Sequence, residues 1–207
     1  GNILYPEAIF TDTIDNQMGG PLVDKNGNLL LSGKDYLTAV VDGKIISRQK
    51  ISYYTDQLLH DTNGNIWVVT RAGELIRFET NPGRPGRYLE QKLSFTKEVS
   101  GINPRSFVID RNNLFLIGSR SYGLYAFRLV DGNLIQQFHL TSATGLSDNF
   151  ISHLAVDLDN NIWACSPLGL DKISIKNGVP VIENITKQNN IYQSVSRVVI
   201  DKSNTAW

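Results

Sequence analysis

The chain has 207 residues, with 20 Lys and Arg against 20 Asp and Glu, so its net charge is zero. That balance excludes the basic footprint of a nucleic-acid-binding surface and offers nothing to an anionic membrane. Hydrophobic residues make up 41%, enough for a core, while 19 Asn and 17 Gly supply many turn positions, so an all-β fold of short elements is expected.

No apolar run approaches the roughly 18 residues of a membrane helix. No stretch carries the i, i+3, i+4, i+7 pattern of an amphipathic helix over ten positions. The lone Cys165 excludes an internal disulfide and a cysteine-cluster metal site. It lies in the apolar run Ile162–Cys165 and reads as a buried structural thiol.

One unit recurs along the chain: Asp, a few polar residues, Asn, an apolar residue, a large apolar residue, then a short strand. It first appears as Asp24-Lys-Asn-Gly-Asn28-Leu-Leu30. The second copy is Asp61-Thr-Asn-Gly-Asn65-Ile-Trp67. The third, Asp110-Arg-Asn-Asn113-Leu-Phe115, reads as one residue shorter, with Phe115 in the Trp place. The fourth is Asp157-Leu-Asp-Asn-Asn161-Ile-Trp163, and the fifth is Asp201-Lys-Ser-Asn-Thr205-Ala-Trp207. Successive Asp residues are 37, 49, 47 and 44 positions apart, periods that suit a four-stranded propeller blade.

Each unit reads as four strands. An apolar first strand precedes the Asp: Ile51–Leu59, Phe107–Ile109, Ile151–Val156 and Val195–Ile200. A tight polar turn follows, containing Asn-Gly in two copies. The second strand then begins, as at Ile66–Val69 or Ile162–Cys165, and a Gly-apolar pair such as Gly123-Leu124 or Gly169-Leu170 opens the third. More polar fourth strands lie near Tyr88–Leu93, Asn133–Leu140 and Val179–Ile185. The expected blades are 14–50, 51–95, 102–141 and 148–187, with the start of another at 193–207. Trp67, Trp163 and their equivalents are expected between neighbouring blades, because one blade cannot bury both its faces alone.

At the fourth unit the pattern becomes specific. Gly145-Leu-Ser147, the strand to Asp157, Asn161-Ile-Trp163 and Gly169-Leu170 resemble the two-component regulator propeller repeat. The units from Asp61 and Asp110 match it in part, the latter through Ile117-Gly118-Ser119 and Gly123-Leu124. The resemblance covers about residues 20 to 207 and implies a β-propeller of four-stranded antiparallel blades. It implies four blades and the first strand of a fifth, part of a larger, seven-bladed ring. It further implies the periplasmic sensor half of a hybrid histidine kinase that detects glycan fragments, with no catalysis in this segment and no cofactor. The alternatives are a lyase-like or lactonase-like propeller enzyme and a scaffold that only binds proteins.

Tests for chemistry are negative at this level. The Asp-x-Asn-x-Asn turns lack the Gly and Glu of a calcium loop, since positions six and twelve from Asp61 are Ile66 and Ala72. His60, His139 and His153 have no metal-ligand spacing, so no metal site is expected. By analogy with other propellers, a ligand is expected on the loops between second and third strands. These carry Lys34, Tyr36, Arg71, Arg120 and Tyr122, where Arg offers a donor fork for acidic sugars and Tyr a stacking face. Expected partners are an oligosaccharide and either a second copy or the remaining blades of a longer chain, with no nucleic acid.

Overall fold

The computed structural model describes residues 21–33, 36–51, 57–70, 73–81, 83–84, 86–93, 101–191 and 193–207. The regular structure of the described residues is almost entirely strand, grouped in four antiparallel sheets of consecutive strands. The first sheet is β1 (Leu22–Val23), β2 (Leu29–Ser32), β3 (Tyr36–Val41) and β4 (Lys44–Lys50). The second is β5 (Leu59–His60), β6 (Ile66–Val69), β7 (Leu75–Thr80) and β8 (Tyr88–Leu93). The third is β9 (Pro104–Ile109), β10 (Phe115–Ser119), β11 (Leu124–Val130) and β12 (Asn133–Leu140). The fourth is β13 (His153–Val156), β14 (Ile162–Ser166), β15 (Gly169–Lys176) and β16 (Val179–Asn184). Ile185, expected to end a strand, instead opens α1 (Ile185–Gln188), a single helical turn. The fifth unit contributes one isolated bridge, Ile200 to Ala206.

The turn between first and second strands follows from its Asp. In each unit Oδ1 of that Asp accepts the backbone N–H groups of residues two and four positions on, at 2.7–3.0 Å. The residue three positions on takes a left-handed conformation: Gly27, Gly64, Asn113, Asn160 and Asn204, at φ between 56 and 82°. Gly and Asn tolerate that region at least cost, which explains why these positions carry them.

This geometry corrects the third unit. Asn113 is the left-handed residue, donating its backbone N–H to Asp110 O, and Leu114 stands where the first, second and fourth units have Asn. The turn is not shorter. Leu116, not Phe115, therefore occupies the Trp position. The doublet Asn112-Asn113 made either Asn a plausible match by sequence, and backbone hydrogen bonding decides between them.

Third and fourth strands are joined by Asp42-Gly43, Asp131-Gly132 and Asn177-Gly178, each with two positive φ angles. Such pairs suit tight hairpins whose twist matches the strands. Second and third strands are mostly buried, whereas the outer β4, β8, β12 and β16 are largely exposed.

Two compact units divide the chain. In the first, the first two sheets share a core of Leu30, Leu37, Ala39, Ile66, Val68, Ile76 and Phe78. In the second, the third and fourth sheets share Leu116, Leu124, Ala126, Leu154, Ile162, Ala164 and Ile173. Leu30 and Leu116, both at the Trp position, thus face the following sheet. Gly118 permits this approach: a Cβ there would lie 2.5 Å from Ile151. Burying each Leu or Ile contributes about 1.5–3 kcal/mol.

Candidate functional site

The Asp carboxylates that shape the turns take most of their hydrogen bonds from the protein's own groups. At Asp61, Oδ2 accepts Asn65 Nδ2 and the Trp67 indole N–H, both at 2.9 Å. Trp163 and Trp207 donate in the same way to Asp157 and Asp201, at 3.0 and 2.9 Å. Where Leu replaces Trp, the donor comes from the next sheet. Tyr88 OH reaches Asp24 Oδ2 at 2.8 Å, and Asn160 Nδ2 reaches Asp110 Oδ2 at 3.0 Å. Burial alone would raise the pKa of Asp24 and Asp157, but these hydrogen bonds outweigh it and hold both below the usual carboxylate range. In exposed Asp201 the Trp207 indole, the Thr205 amide and Ser203 lower it to about 2.

In the second unit the loops between second and third strands and the connections leaving fourth strands gather at one end. Ser119 Oγ accepts the Tyr122 N–H at 2.6 Å and shapes the loop Arg120–Gly123. Gly123 N donates to Asn149 O at 2.8 Å, and a Cβ there would fall 2.0 Å from Leu140 O, so only glycine fits. In the next loop Ser166 Oγ donates to Gly169 O at 3.0 Å.

Fully buried Asp171 organises this end. It accepts the Ser147 N–H at 2.8 Å, the Ser147 hydroxyl at 2.6 Å and Asn184 Nδ2 at 2.5 Å. Thr186 Oγ1 accepts the Leu170 N–H at 3.1 Å. The result is a cleft of about 500 Å³ with hydroxyl and amide walls from Ser147, Asn184 and Thr186, a cation at Lys187, and an apolar rim of Leu168 and Ile191. Leu168 is 71% exposed. Such a surface can hold a polar ligand by hydrogen bonds and cover its apolar face.

The anticipated ligand residues scatter. Lys34 and Arg71 lie outside the described residues. Tyr36 belongs to the first unit, where the Arg48 guanidinium sits 4.5 Å from its ring centre. Arg120 and Tyr122 share one exposed loop, and the Tyr122 carbonyl meets a ring nitrogen of His139, which stacks on Tyr125 at 3.9 Å. Neither lines the cleft. Sequence reading missed Ser147, Asp171, Asn184, Thr186 and Lys187. The available signal was a carboxylate directly after Gly169-Leu170, inside a strand.

No described group of three or more His, Cys, Asp and Glu residues could hold a metal. Cys165 is buried, its thiol pushed up to about 12 by burial and by Asp171. His153 is held below its ordinary value by burial and by the positive charge of Arg197.

No family model and no curated protein matches the sequence. Among solved structures, an extracellular domain assigned to a hybrid two-component system of B. thetaiotaomicron (BT3049) superimposes with a TM-score of 0.72 at 16% identity. The match covers 94% of this chain and 26% of that one. A second extracellular domain from B. thetaiotaomicron, assigned to a one-component system (BT4673), gives 0.71 at 15% identity, over 95% of this chain and 29% of that one. Virginiamycin B lyase from Staphylococcus aureus gives 0.68 at 14% identity, over 92% and 62%. The chain therefore spans about a quarter of the two extracellular domains and about three-fifths of the lyase. These likenesses show the fold: an all-β chain of four-stranded antiparallel propeller blades.

Proposed function

We propose that this chain is part of the extracytoplasmic, periplasmic sensor propeller of a bacterial two-component signalling protein, and that it detects glycan fragments by binding rather than catalysis. The observation that carries this reading is the Asp–Asn–Trp repeat with its Gly-Leu-Ser lead-in, on a fold shared with the extracellular domain of a hybrid two-component system. The cleft beside Ser147, Asn184 and Lys187 is the proposed contact region, with Arg120 and Tyr122 on the same end of the unit. Ligand binding there would shift a conformational equilibrium by its differential affinity for the two states. Self-association, or the remaining blades of a longer chain, would complete the module, and light scattering reads that directly.

The test is a thermal-shift screen against acidic and neutral glycan fragments. A ligand at about a hundred times its dissociation constant adds about 2.7 kcal/mol. For a chain of this size that raises Tm by about 5–11 °C. A shift with one sugar class, diminished by Lys187→Ala or Tyr122→Ala, supports the reading; no shift with any class removes direct binding from this segment. A lyase reading draws on the likeness to virginiamycin B lyase, and turnover of virginiamycin B by this chain would establish it instead.

A further inference from the structure

A second cleft, of about 430 Å³, opens in the same unit where the turns between first and second strands meet the hairpins between third and fourth. Its apolar lining is Leu114, Phe138 and Ile175, and Asp110, Asn112 and Arg128 are among its polar lining. It joins two sheets, since Ile175 comes from the fourth and the others from the third.

The cleft coincides with the repeat's own departures from pattern. Leu114 replaces the Asn that in the first, second and fourth units closes onto the turn carboxylate, and Leu116 replaces the Trp that in the second, fourth and fifth supplies an indole donor. Asp110 Oδ2 is left with one donor, Asn160 Nδ2, whereas the corresponding oxygens of Asp24, Asp61 and Asp157 each have two. A buried carboxylate oxygen with spare accepting capacity is where local rules are broken, and such places are expected to be functional or strained.

The groups around it are open to a ligand. Arg128 lies two residues beyond Ala126, on the strand face that packs into the shared core. One of its N–H groups donates to Asn112 O at 3.2 Å, and the rest have no partner among the described residues. The Asn112 side-chain amide is also without a partner among them. A carboxylate, a guanidinium and an amide beside apolar side chains supply acceptors and donors within one small space. That combination suits neighbouring hydroxyls, each of which gives one hydrogen bond and accepts others, on a ring whose C–H face lies on Phe138. Asp110 and Asp159 outnumber Arg128 in the lining, which disfavours an anion.

We infer that this cleft binds a neutral, hydroxyl-rich ring of monosaccharide size, held between Asp110, Asn112 and Arg128 of the third sheet and the Ile175 side of the fourth. The site is separate from the loop-end cleft and does not depend on it. A bound ring would touch both sheets beside the Asn160–Asp110 bond and would strengthen their junction.

The experiment is calorimetric titration of the whole chain with D-glucose, D-galactose, D-xylose and maltose, alongside D-glucuronate and glycine. Binding of at least one neutral sugar is expected, weaker for glucuronate and absent for glycine. Asn112→Ala, at an exposed position, should weaken it about three- to tenfold through the loss of one hydrogen bond, and Arg128→Ala should weaken it more. Leu114→Asn, which returns the standard amide to the carboxylate, should abolish it. Lys187→Ala, in the other cleft, should leave it unchanged. Leu114 is a core residue, so if its variant unfolds the two exposed variants decide the question. No binding of any neutral sugar, binding unaltered in both exposed variants, loss only in Lys187→Ala, or preference for glucuronate or glycine overturns the assignment.

Discussion

Replacing Asn160 by Gly tests whether the third and fourth sheets are latched through a turn carboxylate. Gly keeps the left-handed backbone (φ 64° at Asn160), so the side chain alone is removed. Two bonds vanish: Asn160 Nδ2 to Asp110 Oδ2 at 3.0 Å, and the Arg111 N–H to Asn160 Oδ1 at 2.8 Å. Asp110 is 3% exposed, so its oxygen loses a hydrogen bond to a charged acceptor and only water in the adjoining cleft can replace it. That costs about 1.5–3 kcal/mol. Greater freedom of the unfolded chain at Gly adds about 0.5–1 kcal/mol. The total is about 2–4 kcal/mol.

Asn204→Gly is the matched control. Asn204 has φ 65° and makes two comparable bonds one unit later: it accepts the Leu158 N–H at 2.7 Å, as Asn160 accepts that of Arg111, and donates to Asp159 Oδ2 at 2.8 Å rather than to the turn carboxylate of Asp157. Those groups are exposed, so water replaces the lost partners and about 1 kcal/mol is expected. Urea unfolding followed by tryptophan fluorescence compares the two. With a slope of about 2 kcal/mol per molar, the midpoint of Asn160→Gly should fall about 1 M further for each 2 kcal/mol of difference. Hydrogen exchange at the Leu154 amide, bonded to Ser106 Oγ at 2.8 Å, localises the loss to this pair of sheets. An Asn160→Gly midpoint no lower than that of Asn204→Gly would refute the latch.

Tyr88→Phe should lower stability of the first unit by about 1–3 kcal/mol, because a 5%-exposed phenol stops donating to Asp24, which keeps Asn28; chemical unfolding checks it, and no loss would mean that Asn28 suffices. Stability should also fall on acidification. The folded-state values of Asp24 and Asp157 are depressed below their ordinary 3.8, so their contribution is full above that pH and is lost as pH falls through the folded values. His153, depressed below 6.5, adds an earlier decline from that pH downward, since the unfolded chain takes up its proton first. A Tm profile flat from pH 7 to pH 2 would contradict both assignments.

Much of the fold was legible because its determinants are local. An Asp whose Oδ1 caps amides two and four residues on needs only itself, a short polar stretch and a Gly or Asn that accepts positive φ. A repeat of that unit marks each first-to-second-strand turn from Asp24 to Asp201 without reference to any distant residue. The hairpins at Asp42-Gly43, Asp131-Gly132 and Asn177-Gly178 are equally local, although sequence reading did not single them out. The alignment of the third unit was not, because Asn112 and Asn113 are chemically identical and only the backbone bond from Asn113 to Asp110 selects one. The Oδ2 partners were hidden for a different reason: Tyr88 lies 64 residues from Asp24, and Asn160 lies 50 from Asp110. The same holds for Asp171, which joins Ser147, 24 residues before it, to Asn184, 13 after. Sequence determined where each turn forms, since a turn is closed by neighbours along the chain. The tertiary structure decided which carboxylates remain open and where clefts lie, since those depend on groups that meet only when two sheets pack face to face.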